Sequence, residues 1–391
     1  MDRCRPVRLT PHRVFYALQL GSMAALLPLL GGRLEAAGLD GLTIGLLMAM
    51  LPAGRLVAAP LWAFVADRYR LGGAILRLAS VASAVAGMAL ARTDDVATVA
   101  ITLFVFSAIR APIGAILDSF VLRELADAGR PSSDYGRVRL WGSFGFLAGV
   151  AVASLASRIG LPPHLLADAT LLGAAATSFA FPWRGEGGPA PILPALRALA
   201  AERFLVPLLA AGALQAMTMS VYDTFYSVHI RALGLPDPVA GASIAVGVTG
   251  EMLLMASAAR VLGRMGPARG LLLATLTGIP RWILTATLHD PVLLVATQAL
   301  HAIGFGAFWL SGVQRMQQSA PREISASAQA LWAAATYGFG ALVGAGLAGW
   351  ARHSLGSAGI FEFLAAAAVL ASACAAWLVR AEAPRPAMPA D

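Results

Sequence analysis

Glu251 is a carboxylate inside an apolar run of membrane-spanning length that begins near Val239 and ends at an Arg-Gly turn (Arg260, Gly263, Arg264, Gly266, Arg269). The next apolar run is broken once, by Arg281. Glu251 stands twelve residues before Gly263, roughly 18 Å along a helix at about 1.5 Å per residue. In a hydrocarbon layer about 30 Å thick, that is near the midplane. A charge there is costly unless it is paired or faces a watery cavity, so an intramembrane ionisable residue is a functional candidate by default. Burial disfavours the charged form of a carboxylate, which suits Glu251 to taking up and releasing protons. The arrangement occurs earlier too. Arg55 lies twelve residues before Asp67, which opens the turn Asp67-Arg68-Tyr69-Arg70. An arginine presents a planar fork that matches a carboxylate. Arg55, Arg139 and Arg281 together give the midplane a positive bias, and this points to a small organic anion as ligand. Tyr16 and Gln19 are the polar groups of the first apolar run that can line a cavity, and His301 is the histidine set deep in a span.

The elements that carry these groups follow from composition. Of 391 residues, 58% are hydrophobic and 13% charged, far from a soluble domain. Apolar stretches of about twenty residues recur throughout, without the two-residue alternation of a membrane β-barrel. They predict helical spans at 12–32, 43–66, 72–91, 96–122, 136–158, 164–183, 204–231, 239–262, 269–288, 291–316, 324–351 and 358–380. The segment 184–203 starts with glycine and proline and turns amphipathic, as a linker would. It divides the chain into two six-helix halves, 1–183 and 204–391. The net charge is +8 and every cationic side chain is arginine. Most of these arginines fall on the side of the linker and both termini, a positive-inside asymmetry that makes this side cytoplasmic. The basic balance therefore reports topology, not a nucleic-acid surface.

The halves read as copies. At an offset of 196 residues Gln19 meets Gln215, Gly38-Leu39 meets Gly234-Leu235, and Gly45 meets Gly241. Gly54 likewise meets Gly250, Arg68 meets Arg264, and Asp94 meets Asp290. Six plus six spans in the same orientation is the parallel repeat of transporters that rock about a midplane site.

Two segments carry a family resemblance. Asp67-Arg68-Tyr69-Arg70 resembles the loop motif of the major facilitator superfamily, with Ala63 where that motif has glycine. Tyr135-Gly136-Arg137-Val138-Arg139-Leu140-Trp141-Gly142-Ser143-Phe144-Gly145-Phe146 resembles the corresponding segment of the lactose permease and phenylpropionate permease branch. Tyr222-Asp223, Gly250-Glu251, Pro280-Arg281-Trp282 and Gln298-Ala299-Leu300-His301 resemble that branch in the same order. The resemblance implies an all-α membrane protein of twelve helices in two pseudo-symmetric bundles. It implies Arg139 as the substrate-binding arginine, Asp118 as its carboxylate partner, and Phe146 as the aromatic beneath the ligand. It implies Glu251, Arg281, His301 and Asp223 as the proton-coupling set. Asp67, Arg68 and Arg264 fall to the cytoplasmic gate. Gly304 replaces an acid of the lactose-type relay, and Tyr337 replaces a lysine opposite Asp223. Both departures favour the phenylpropionate side of the branch.

The expected function is secondary active transport in a bacterial inner membrane, as proton symport of an aromatic carboxylate by a monomer. A sugar or nucleoside symporter is the alternative, and a non-transporting sensor or assembly factor the reading from another class. No cofactor or metal is expected. Without lysine there is no Walker A sequence, and no GxSxG, HExxH or ligand-spaced cysteine pair is present. No enzymatic activity is expected.

Overall fold

The computed structural model describes residues 9–36, 38–39, 41–93, 95–159, 161, 164–182, 192–236 and 238–382. The first six rods are α1 (Thr10–Ala36), α2 (Gly41–Tyr69), α3 (Gly72–Leu90), α4 (Val96–Asp127), α5 (Gly136–Arg158) and α6 (His164–Ser178). A short helix, α7 (Ile192–Ala201), lies in the expected linker, whose residues 184–191 are outside the described set. Then come α8 (Leu205–Ala232), α9 (Pro238–Val261) and α10 (Pro267–Thr287). Last are α11 (Pro291–Ser319), α12 (Arg322–Leu347) and α13 (Ser354–Glu382). Among the described residues, eight of these helices are each long and apolar enough to cross a membrane. Together the rods form the two six-helix bundles expected of the chain, α1–α6 and α8–α13.

Why the rods end where they do is written in single residues. Gly38 (φ 84°) and Gly234 (φ 73°) both adopt the left-handed conformation. After each, a leucine N–H returns to a carbonyl five residues back, Leu39 to Leu34 and Leu235 to Ile230, both at 3.1 Å. This is one glycine C-terminal motif made twice, 196 residues apart. Arg70 (φ 55°) and Gly266 (φ 76°) repeat the equivalence at the next turn. The next helix of each half starts on an aspartate cap. Asp95 accepts from the Thr98 N–H at 2.8 Å, and Asp290 from the Leu293 N–H at 2.9 Å. Asp95 is thus the counterpart of Asp290. Asp94, the expected one, lies outside the described residues.

Buried faces are built from small side chains. In α3, Leu76, Ala79, Ser80 and Ser83 are buried while Leu78, Val81 and Val85 are exposed, so the outward face is the more apolar one, as a lipid contact requires. Glycine lets backbones touch. A Cβ on Gly54 would lie 2.7 Å from the Phe104 carbonyl oxygen, and one on Gly145 would overlap that of Ala17. The first closes α2 on α4 and the second closes α5 on α1. Between bundles, Gly136 meets the Met255 carbonyl and Gly338 meets the Leu56 backbone. The bundles therefore share two seams, α5 with α9 and α2 with α12.

Among the described residues, two of the rods contain π-helical turns. Ala302–Ala307 in α11 and Ala334–Gly340 in α12 are π-helical. Such widened turns occur mostly near functional sites. Here they fall beside His301 and around Tyr337, at the level of the central cavity.

Candidate functional site

The expected ligand-binding residues come from four helices of the first bundle, and the fold gathers most of them. Tyr16, Gln19, Arg55, Asp118 and Arg139 line one cavity between the bundles. Phe146 is half-buried and stands outside that lining. Three residues to which the sequence assigned no role join the lining: Arg110, Trp309 and Tyr337. Arg110 carries a legible signal, a charge within a span. Tyr337 carries one only through the resemblance, as the replacement of a lysine, and Trp309 carries none, because aromatics in apolar helices are most often packing.

Asp118 is held by phenols. It accepts a short hydrogen bond from the Tyr16 hydroxyl and another, at 2.8 Å, from Tyr135. The indole N–H of Trp309 donates to the Tyr135 oxygen at 3.3 Å. One carboxylate therefore ties α1, α4, the turn before α5 and, through Trp309, the second bundle. The expected Arg139–Asp118 ion pair does not form in this conformation. The Arg139 guanidinium lies 5.7 Å over the Tyr16 ring, and one of its terminal nitrogens is buried with no hydrogen-bond partner. The tyrosines have taken the carboxylate and left the arginine's donors facing the cavity.

The expected proton-coupling residues divide into two groups. Glu251, 4% exposed, accepts from the Ser143 hydroxyl at 2.7 Å and faces the His301 Nε2 at 3.7 Å. Ser143 belongs to the first bundle and His301 to the second. The Phe305 ring stacks on the His301 imidazole at 5.5 Å and fixes its plane. Arg281 belongs elsewhere. It donates through two nitrogens to the Gln298 side-chain oxygen, at 2.8 and 3.2 Å, and is sandwiched between the Tyr222 and Trp282 rings at 4.4 and 4.3 Å. Fully buried, it is balanced by an amide and two π-faces instead of by a carboxylate. Asp223 accepts no hydrogen bond from a described residue. Its side chain is exposed.

One end of the molecule, that of the α2–α3 turn and α7, is sealed. Asp67 receives the backbone N–H groups of Ser327 at 2.6 Å and Ala326 at 3.3 Å, with Arg123 at 3.7 Å. It caps the first turn of the α12 helix with a charge that complements the N-terminal dipole. Beside it Arg322 pairs with Asp127 at 2.9 Å, and Arg123 donates to the Arg322 carbonyl at 3.1 Å. Apart from the Arg123–Asp67 approach, these contacts join the two bundles. Arg68 rests against Tyr69, and Arg264 is exposed and joins none of these contacts. The second half has Gly263 where the first has Asp67, so the seal is one-sided.

Asp67→Ala should loosen this end. Losing this helix cap removes up to roughly 2 kcal/mol from the sealed conformation, about thirtyfold in its equilibrium. A Ser325→Cys reporter, at a position 1% exposed here, reads this out when Cys4 and Cys374 are replaced by alanine. Its labelling by a membrane-impermeant maleimide should speed up in Asp67→Ala; an unchanged rate would show that the cap does not hold the seal.

Against known proteins, the chain matches the MFS_1 like family over residues 9–179 and 193–363. It belongs to that family. It is therefore a major facilitator transporter, one of a family of membrane carriers and not of enzymes. This transporter is 31% identical over 340 residues to a maltose permease of Geobacillus stearothermophilus, covering 85% of each chain. It is 28% identical over 363 residues to a probable 3-phenylpropionic acid transporter of Escherichia coli, covering 89% and 92%. The transporter's fold superposes on the nucleoside transporter NupG with a TM-score of 0.68 at 18% identity. It superposes on the human organic anion transporter MFSD10 with a TM-score of 0.73 at 16% identity. Those two pairs cover 95% of the transporter and 99% or 100% of the other chain.

Proposed function

We propose that the transporter carries a small aromatic carboxylate together with a proton. The observation that carries this reading is the balance of the cavity wall. Three arginines (Arg55, Arg110, Arg139) face one carboxylate (Asp118) among the rings of Tyr16, Trp309 and Tyr337. An anion corrects the charge, and the rings offer a face to an aromatic body. The likeness to a probable 3-phenylpropionic acid transporter supports the same class. A sugar is the second reading, supported by the likeness to a maltose permease; there the arginines would serve hydroxyl groups.

Proton coupling falls to Glu251. Ionised, it holds Ser143 of one bundle and faces His301 of the other; protonated, it releases part of that hold and frees the α5–α9 seam. The halves 1–183 and 204–391 then rock about the linker 184–203, and the cavity opens alternately to each side. The arginine-rich linker end is cytoplasmic, so the state sealed at that end faces outward. A bacterial inner membrane and a monomer complete the reading.

The test is thermal stabilisation of the purified transporter by aromatic acids, disaccharides and nucleosides, since a ligand of the folded state raises apparent stability by mass action. Aromatic acids should raise the melting temperature of the wild type, and disaccharides and nucleosides should not. A shift confined to sugars or nucleosides overturns the anion reading.

A further inference from the structure

We propose that Arg55 and Arg110 form the seat for the substrate's carboxylate, apart from Arg139. The inference rests on the anion reading and assigns its charge a place. Arg55 lies at the centre of α2, fourteen residues from Gly41 and fourteen from Tyr69, roughly 21 Å of helix on either side. That is the bilayer midplane, where a bare guanidinium is most costly. The Tyr337 ring lies beside it, 5.3 Å from the guanidinium carbon. Among the described residues, no carboxylate lies within ion-pair distance of Arg55, and none of its donors reaches an acceptor.

Arg110 is 7% exposed and, among the same residues, equally without an acid. One terminal nitrogen donates to the Gln19 carbonyl at 3.0 Å, the other reaches the Ser22 hydroxyl only at 3.5 Å, and Phe106 lies under the guanidinium at 5.0 Å. Those contacts fix its plane while leaving donors over. The two arginines line the same cavity. Two like charges side by side in a low-dielectric interior are tolerated when an anion or water sits between them. Asp118 cannot serve, because it is occupied by two tyrosines. Arg139 lies over the Tyr16 ring instead, 5.7 Å from its centre. The cavity thus offers Arg55 and Arg110 to the carboxylate, and the rings of Tyr337 and Trp309 on the same lining to the aromatic body.

The experiment compares 3-phenylpropionate with its uncharged amide on the full-length protein, by thermal stabilisation and calorimetry. In wild type the acid should bind more tightly than the amide. Arg55→Gln and Arg110→Gln should each weaken the acid by about tenfold or more, the loss of a charge-assisted contact, and leave the amide unchanged. Arg55→Lys, which keeps the charge and loses the fork, should fall between. Unaltered amide binding also certifies that a variant is folded; if Arg110→Gln is not, Arg55→Gln decides alone, since its side chain holds no protein acceptor. Wild-type binding of the acid with no change in Arg55→Gln overturns the seat and leaves the anion reading standing. A wild type that binds neither compound, or only the amide, overturns both.

Discussion

Glu251→Gln should abolish uphill accumulation while leaving exchange of substrate across the membrane intact. A pH difference of one unit is worth about 1.4 kcal/mol per proton, or roughly tenfold accumulation for one proton per substrate. The variant should instead stop at an internal-to-external ratio of about one, whatever the gradient. Glutamine can still accept from Ser143, now 2.7 Å from the carboxylate, so the α5–α9 seam stays packed. What it loses is the charge facing His301 at 3.7 Å and the proton itself. Proteoliposomes loaded with substrate separate the two activities. Gradient-driven uptake should disappear and counterflow should persist. Accumulation that still follows the pH gradient in Glu251→Gln would remove this carboxylate from the coupling step.

Gly145→Ala is the second large effect, and it is structural. A methyl group at this position would overlap the Ala17 carbonyl oxygen and sit 2.5 Å from its carbon and Cα. No rotamer relieves a contact with backbone, so the cost exceeds the about 1–3 kcal/mol usual for overpacking. Gly21 and Gly149 lie along the same crossing, where added Cβ atoms would meet carbonyl oxygens at 3.0 and 2.9 Å. The α1–α5 crossing is thus a small-residue contact of the kind that brings membrane helices together. Since α1 carries Tyr16 and α5 carries Arg139, parting them also dismantles the cavity wall. Gly145→Ala should give little folded protein by fluorescence-detected size exclusion, whereas Gly114→Ala, where a Cβ meets nothing within 4 Å, should behave as wild type. Equal yields would mean that the two helices can part without loss.

The contrast between these two residues shows what could be read in advance. Glu251 announces itself, because a charge in an apolar run is conspicuous in any order of residues. Gly145 sits in a chain with 40 glycines; only its distance from Ala17 sets it apart.

The spans are legible in the order of residues, because bilayer thickness fixes their length and apolar runs reveal it. The repeat is legible there too, because a glycine in the left-handed conformation is needed at the same turn of each half. So are the charged groups held inside the membrane. Their partners emerge from the packing of the helices. Asp118 went to Tyr16 and Tyr135, not to Arg139; Arg281 went to Gln298 and two rings; Arg55 and Arg110 were left together on the cavity wall. The reason lies in the solvent. In water, a helix's polar face shows which way it points, but in lipid both the buried and the outward faces are apolar. Periodicity then says little about rotation. The contacts that matter join residues as far apart as the 260 positions between Asp67 and Ser327, where only packing sets which side chains meet.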